Sequence, residues 1–260
     1  MYQLTITLTT INNTPIPQAE VSGRGLTGIV YKRLLHGEHW AKREVDWLHD
    51  DQPRPYSMMP IFTNHQLTGI RFGIVSDRAF VLLHNAWQQA IQKGMLLSLG
   101  SYRLVATYMD CQQGRGFAEL SENEGAGAMN LRFLTPTAFK QGDDAKGKPM
   151  LLLLPAPRNV FTSAFKAWQA FAPPPQKLPE AWLTWCERHI LVSRHAIQTD
   201  TFAVKHKQIH LGFVGDVWFE ARDEDMMSRQ IWQALGQFAP YCGIGVKTAM
   251  GLGAVDYRRR

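Results

Sequence analysis

The chain has 260 residues, 45% hydrophobic and 11% aromatic, enough apolar side chains for packed cores and too many for a disordered or fibrous chain. Lysine and arginine outnumber aspartate and glutamate 28 to 22, a net charge of +6 that suits a polyanionic partner without requiring one. Cys111, Cys186 and Cys242 set no disulfide framework, no basic segment precedes an apolar core at the start, and the longest apolar run (150–155) is far short of a membrane span. We therefore expect a soluble, cytoplasmic protein that does not engage membranes.

MYQLTITLTT alternates apolar and polar side chains and predicts a half-buried strand. GLTGIVYKRLLHG then places Leu26, Ile29, Val30, Leu34 and Leu35 on one helical face, and HWAKREVDWLH adds a shorter helical stretch with Val45, Trp47 and Leu48. Pro53 and Pro55 end it, and YSMMPIF and LTGIRFGIVS read as strands. DRAFVLLHNAWQQAIQKG predicts a helix with Asp77 as N-cap and Gly94 as C-cap, and SYRLVATYMD closes the half as a strand. The order is β-α-β-β-α-β, the ferredoxin-like plan.

Residues 113–129 are polar and rich in glycine, which predicts a boundary between a domain at 1–120 and another at 129–260. A second cycle follows: a strand at MNLRFLTPT, a helix at PRNVFTSAFKAWQAFA, a stiff APPPQ connector, strands at HILVSRHAIQTDTFAVK and QIHLGFVGDVWFEA, a helix at MSRQIWQALGQFA, and a last strand at GLGAVDY. The expected fold class is α+β, with tandem ferredoxin-like (RRM-like, βαββαβ) domains.

Between that last helix and strand lies Gly243-Ile-Gly245-Val-Lys247-Thr-Ala-Met-Gly251-Leu-Gly253. Glycines let backbone amides approach an anion, and a lysine adds a point charge, although a tight turn without a ligand has the same composition. A dinucleotide fingerprint would need glycine where Thr248 stands, and in a Walker A loop Val246 would not separate Gly245 from Lys247.

This G-h-G-x-K-x-x-x-G-h-G pattern resembles the glycine-rich loop of the RAMP superfamily, and more narrowly that of the CRISPR-associated endoribonucleases of the Cas six family. FLTPTAF (133–139), LPAPRNVFTSAFKAWQAFAP (154–173), IHLGFVGDVWFEA (209–221) and FAPYCGIGVKTAMGLGAV resemble the family in the same order. The resemblance implies two ferredoxin-like domains facing each other across an RNA-binding surface. It also implies cleavage of precursor CRISPR RNA (pre-crRNA) within its repeats, by attack of the 2′-hydroxyl and without a metal or cofactor. The implied partner is CRISPR repeat RNA; effector-complex proteins and a second copy of the chain stay open. A non-catalytic subunit that grips guide RNA in an effector complex is the alternative reading.

Histidine suits such proton transfers because its ordinary pKa lies near 6.5. In the resembled family the histidine follows the first helix, in a pattern matched here by Leu48-His49, a polar stretch, Arg54, Tyr56-Ser57 and Pro60. His49 is the first candidate, with His36 and His39 as rivals and Tyr31 and Lys32 as assistants. Lys247, Gly243, Gly245, Gly251 and Gly253 are expected to hold the RNA backbone, with Lys32 and Arg54 near the scissile phosphate. Arg194, His195, Lys205, His206 and Lys207 are expected to cluster on adjacent strand ends. Positive groups from 31–54, 194–207 and Lys247 are thereby expected to converge on one cleft between two domains.

Cys186-x-x-His189 with His206-x-x-x-His210 superficially fits a zinc pattern, but a second cysteine pair is missing and the positions read as alternating strand residues, so no metal is expected. GFVGDVWF departs from the RRM consensus, so base stacking on the sheets is not expected. Trp168, Trp182, Trp185 and Trp232 are assigned to cores or an interface, and Arg258-Arg259-Arg260 to a solvated end.

Overall fold

The structure, a computed structural model, describes residues 1–36, 40–50, 52–205 and 208–258. In the first half, β1 (Tyr2–Thr10), α1 (Gly23–Ile29), α2 (Lys42–Asp50), β2 (Tyr56–Thr63), β3 (Gln66–Ile74), α3 (Asp77–Gln92), β4 (Leu97–Leu99) and β5 (Tyr102–Gln113) follow in order. The strands form one antiparallel sheet in the order β2-β3-β1-β5-β4, the ferredoxin-like order with a short extra edge strand. The alternation read from the sequence sets the register: Leu4 and Ile6 are buried between β3 and β5 while Thr5 and Thr9 are not.

In the second half come α4 (Phe117–Ser121), β6 (Ala128–Thr137), β7 (Phe139–Asp143), β8 (Pro149–Leu152), α5 (Pro157–Phe171), α6 (Trp182–His189), β9 (Ile190–Lys205), β10 (Gln208–Ala221), α7 (Met226–Cys242) and β11 (Val255–Arg258). Their main sheet runs β11-β6-β10-β9, the same topology again, so the fold is tandem ferredoxin-like. The short elements β4, α4, β7, β8 and α6 are absent from the sequence reading. In particular, Cys186 and His189 sit on α6 rather than on alternating strand positions. Trp182 and Cys186, four residues apart, turn one face of α6 into the core, which is helical rather than strand spacing. Helix α3 starts after Ser76, one residue before the expected cap, and Gly94 follows it with φ of 55°.

Each sheet carries a hydrophobic core. Leu4, Ile6, Phe72, Trp87 and Leu104 centre the first; Phe133, Phe161, Trp168, Phe219, Trp232 and Phe238 centre the second, with Trp182 beside them. The cores are not divided where the sheets are. Phe202 and Val204 from the far end of β9, with Ala249 and Leu252, are buried in the first core, and Val75 in the second.

The halves also meet through polar contacts. Ser57 Oγ donates to the Tyr241 carbonyl at 3.1 Å, and Arg71 on β3 donates to Asp256 on β11 at 3.0 Å. Gly73 allows this approach: a Cβ there would lie 2.5 Å from the Pro240 carbonyl oxygen and 2.7 Å from Tyr241 Cα. No helix among the described residues is long and apolar enough to cross a membrane.

Candidate functional site

Ser22 caps α1, its hydroxyl accepting from the Gly25 amide at 3.1 Å. Beyond Ile29 the helix widens into a π turn, in which the Leu35 amide donates to the Val30 carbonyl at 2.8 Å. Such turns recur at functional sites. This one keeps Val30 and Leu34 in the core, leaves Lys32 in solvent, and half-buries Tyr31.

Tyr31 meets the end of α2. Its hydroxyl donates to the Leu48 carbonyl at 3.0 Å and lies 2.6 Å from the hydroxyl of fully buried Tyr56 on β2. Its ring sits edge-on to His49, with centroids 4.8 Å apart and planes at 88°. His49 Nδ1 is 2.5 Å from Asp50 Oδ1. A proton on Nδ1, held by that carboxylate, leaves Nε2 as the free acceptor of the neutral ring. The His49 side chain is 52% exposed, so the ring is accessible from solvent.

Burial, and then the neighbouring Tyr56 hydroxyl, push the Tyr31 phenol far above its ordinary value; Arg54 opposes them weakly. Burial raises Tyr56 as well, with Tyr31 and then Arg54 pulling it down. Tyr31 therefore stays protonated at neutral pH, as a hydrogen-bond donor rather than a base. Arg54, half-buried beside both tyrosines, also lines a cleft of about 380 Å³ between the halves with Ser163 on α5 and Gly243, Gly245, Lys247 and Thr248 of the glycine loop.

Gly243, Gly245, Gly251 and Gly253 all have positive φ, between 68° and 92°. The end of β6 and Ala138 brace the loop. Val246 donates to the Ala138 carbonyl, Gly253 to the Pro136 carbonyl, and Ala254 to Thr135 Oγ1. Gly243 donates to the Ala239 carbonyl, and Gly245 to Ser163 Oγ at 2.9 Å. The amides of Gly243, Gly245 and Gly253 are thus engaged within the protein. Their contribution is backbone shape, and it presents Lys247.

Lys247 itself is left-handed, with φ of 59° and ψ of 37°. That conformation costs a non-glycine residue on the order of 1 kcal/mol and recurs at ligand sites. Its Nζ lies 2.5 Å from His210 Nε2, and burial, then the charge of Lys205, lower its pKa. Burial, then Lys247, likewise lower that of His210.

The structure thus groups Tyr31, His49 and Arg54, joins Arg54 to Lys247 across the cleft, and brings Lys205 towards Lys247. It does not bring in Lys32 or His36, which are exposed and make no side-chain hydrogen bond or ion pair among the described residues. Arg194 stacks over Trp218 at 4.7 Å, eleven residues or about 35 Å of strand from Lys205. The expected clustering of those two is corrected by the length of β9. His39, His206 and Lys207 lie outside the described residues.

Among the described residues no group of three His, Cys, Asp or Glu is placed to hold a metal. His189 faces Asp223 at 3.7 Å, and burial pushes the Cys186 thiol up to about 12. Sequence reasoning missed Asp50, Ser163 and His210 as site residues. Adjacency to His49 could have flagged Asp50; Ser163 and His210 carry no local signal.

Two ferredoxin-like sheets joined through a C-terminal glycine loop are a fold shared with solved RAMP proteins. A solved RAMP protein binding different RNA substrates superposes over 100% of both chains with a TM-score of 0.67 at 10% identity. Residues 131–255 match the family model of the CRISPR-associated endoribonuclease Cas6. The Streptococcus thermophilus Cas6 is 23% identical over 232 residues, covering 83% of this chain and 85% of that one. A Thermus thermophilus Cas6 product complex has the same fold over 99% of both chains, with a TM-score of 0.84 at 20% identity. Over these spans the chain is similar to the Cas6 family of CRISPR-associated endoribonucleases.

Proposed function

We propose that this protein cuts precursor CRISPR RNA within its repeats without a metal ion, and that His49 transfers protons in the reaction. His49 Nε2 takes the proton of the 2′-hydroxyl next to the scissile phosphate. The 2′-oxygen attacks phosphorus, the bond from phosphorus to the 5′-oxygen breaks, and that oxygen takes a proton from solvent water as it leaves, while His49 gives its own proton back to solvent. The products are a 2′,3′-cyclic phosphate and a 5′-hydroxyl. Arg54 neutralises the crowded phosphate, and Lys247, with Lys205 behind it, holds the neighbouring backbone. Residues 1–120 supply the acid-base group and 129–260 the glycine loop.

The observation that carries this reading is the packing of His49 against Tyr31 with Nδ1 held by Asp50, beside an arginine that lines the cleft between the halves. The endoribonuclease name of the Streptococcus thermophilus relative and the product bound in the Thermus thermophilus structure support it. The internal nucleophile supplies the attacking oxygen, so the mechanism needs only acid-base groups and cations. The test is incubation with cognate repeat RNA in excess EDTA. Cleavage is expected, and it is expected to stop with a 2′-deoxy nucleotide at the scissile position or with His49→Ala. An absolute requirement for Mg²⁺, or native cleavage by His49→Ala, would overturn it.

A further inference from the structure

Helix α2, which ends in His49-Asp50, has only nine residues and buries one side chain, Leu48. A helix of that length does not hold itself, so its position depends on what anchors it. Glu44, Trp47 and Leu48 stand at i, i+3 and i+4 and share one face. On that face Arg78, from the first turn of α3, donates Nε to Glu44 Oε2 at 2.7 Å and Nη2 to Glu44 Oε1 at 2.8 Å. The same guanidinium lies 4.0 Å from the centre of the Trp47 ring. The two-pronged bond fixes the angle of α2 as well as its distance, which a single ion pair does not. Behind Arg78, Phe80 stacks on Tyr2 with centroids 3.7 Å apart, tying the start of α3 to β1.

We infer that Arg78 is a positioning residue for cleavage: clamped on Glu44 and Trp47, it holds α2 so that His49 meets the scissile ribose. This rests on the assignment of His49 above. The Arg78 fork is also the largest influence lowering the Glu44 pKa. Arg78 and Glu44 remain 44% and 38% exposed, so the clamp acts through geometry more than through stability.

The experiment measures single-turnover cleavage of repeat RNA, and binding of the 2′-deoxy repeat, for Glu44→Gln, Arg78→Ala and the exchanged pair Glu44→Arg/Arg78→Glu. Each single variant is expected to cleave about tenfold more slowly with affinity within about twofold, since small misplacement of a reacting group has effects of that order. Glu44→Gln removes a negative charge, so a direct role in holding RNA predicts tighter or unchanged binding without loss of rate. The exchanged pair is expected to cleave faster than either single variant. A native rate in the single variants, an affinity loss that accounts for the rate loss, or an exchanged pair as slow as the singles would overturn the inference. His49→Ala measured alongside separates the two readings. Native cleavage there removes the His49 assignment, whereas abolished cleavage there with native rates in the clamp variants removes the clamp alone.

Discussion

The hydroxyl of Tyr31 donates to the carbonyl of Leu48, the residue immediately before His49. The contact joins the π turn after α1 to the last turn of α2 across seventeen residues, and Tyr56 completes it from β2. Tyr31 thus acts on His49 through the backbone. Tyr31→Phe is expected to slow cleavage without abolishing it and to leave RNA affinity unchanged. Because the variant removes the hydrogen bonds to the Leu48 carbonyl and to the Tyr56 hydroxyl, it should also cost about 1–3 kcal/mol of stability, read by denaturant unfolding. A loss of cleavage as complete as that of His49→Ala would place Tyr31 in the proton transfer itself.

Lys247 is presented by its loop, with Lys205 near enough to lower its pKa. Lys247→Ala is expected to weaken repeat-RNA binding on the order of tenfold. It should also reduce the slope of log affinity against log salt by about 0.7 to 0.9, the signature of one lost phosphate contact. An unchanged slope would remove Lys247 from the RNA interface.

Gly251 sits at φ of 92°, and a Cβ there would lie 2.9 Å from the Phe202 ring. Gly251→Ala should therefore cost about 2 kcal/mol through strain and crowding, and lower the melting temperature by roughly 5 °C. A melting temperature unchanged from the parent protein would show that the loop relaxes freely.

Burial and the Lys247 charge hold His210 below the ordinary imidazole value, and its Nδ1 is buried without a hydrogen-bond partner among the described residues. In the unfolded chain a histidine titrates near about 6.5. Below that pH the unfolded state takes up the proton first, so stability falls as pH is lowered from neutrality towards the folded value. His210→Asn should flatten the pH dependence of unfolding free energy in that window. If the variant loses stability with acid as steeply as the parent, His210 is not the group responsible.

The ferredoxin order was legible in each half because period-two strands and amphipathic helices alternate along the chain. Pro53 and Pro55 and the glycines at 113–129 punctuated it. What stayed hidden depends on tertiary packing. The π turn leaves the apolar spacing of Leu26, Ile29, Val30 and Leu34 intact, so nothing local marks it. Helix α6 has eight residues, too few for its Trp182–Cys186 spacing to stand out against a flanking strand pattern. His49 and Lys247 were legible as motif positions, whereas His210 reaches Lys247 only because β10 runs beneath the loop. Arg194 and Lys205 lie on the one strand read from the sequence, and eleven residues of extended chain already separate them there.

Phe202 and Val204, carried on the distal end of β9, complete a core whose sheet belongs to the other half of the chain. A gene cut near residue 120 would leave that core short of an aromatic ring, a loss that typically costs about 3–5 kcal/mol, a large share of the roughly 5–15 kcal/mol that holds an ordinary domain. The repeated topology is therefore not thermodynamic modularity. The two sheets are expected to melt as one cooperative unit, and the packing that keeps either half folded also shapes the cleft between them.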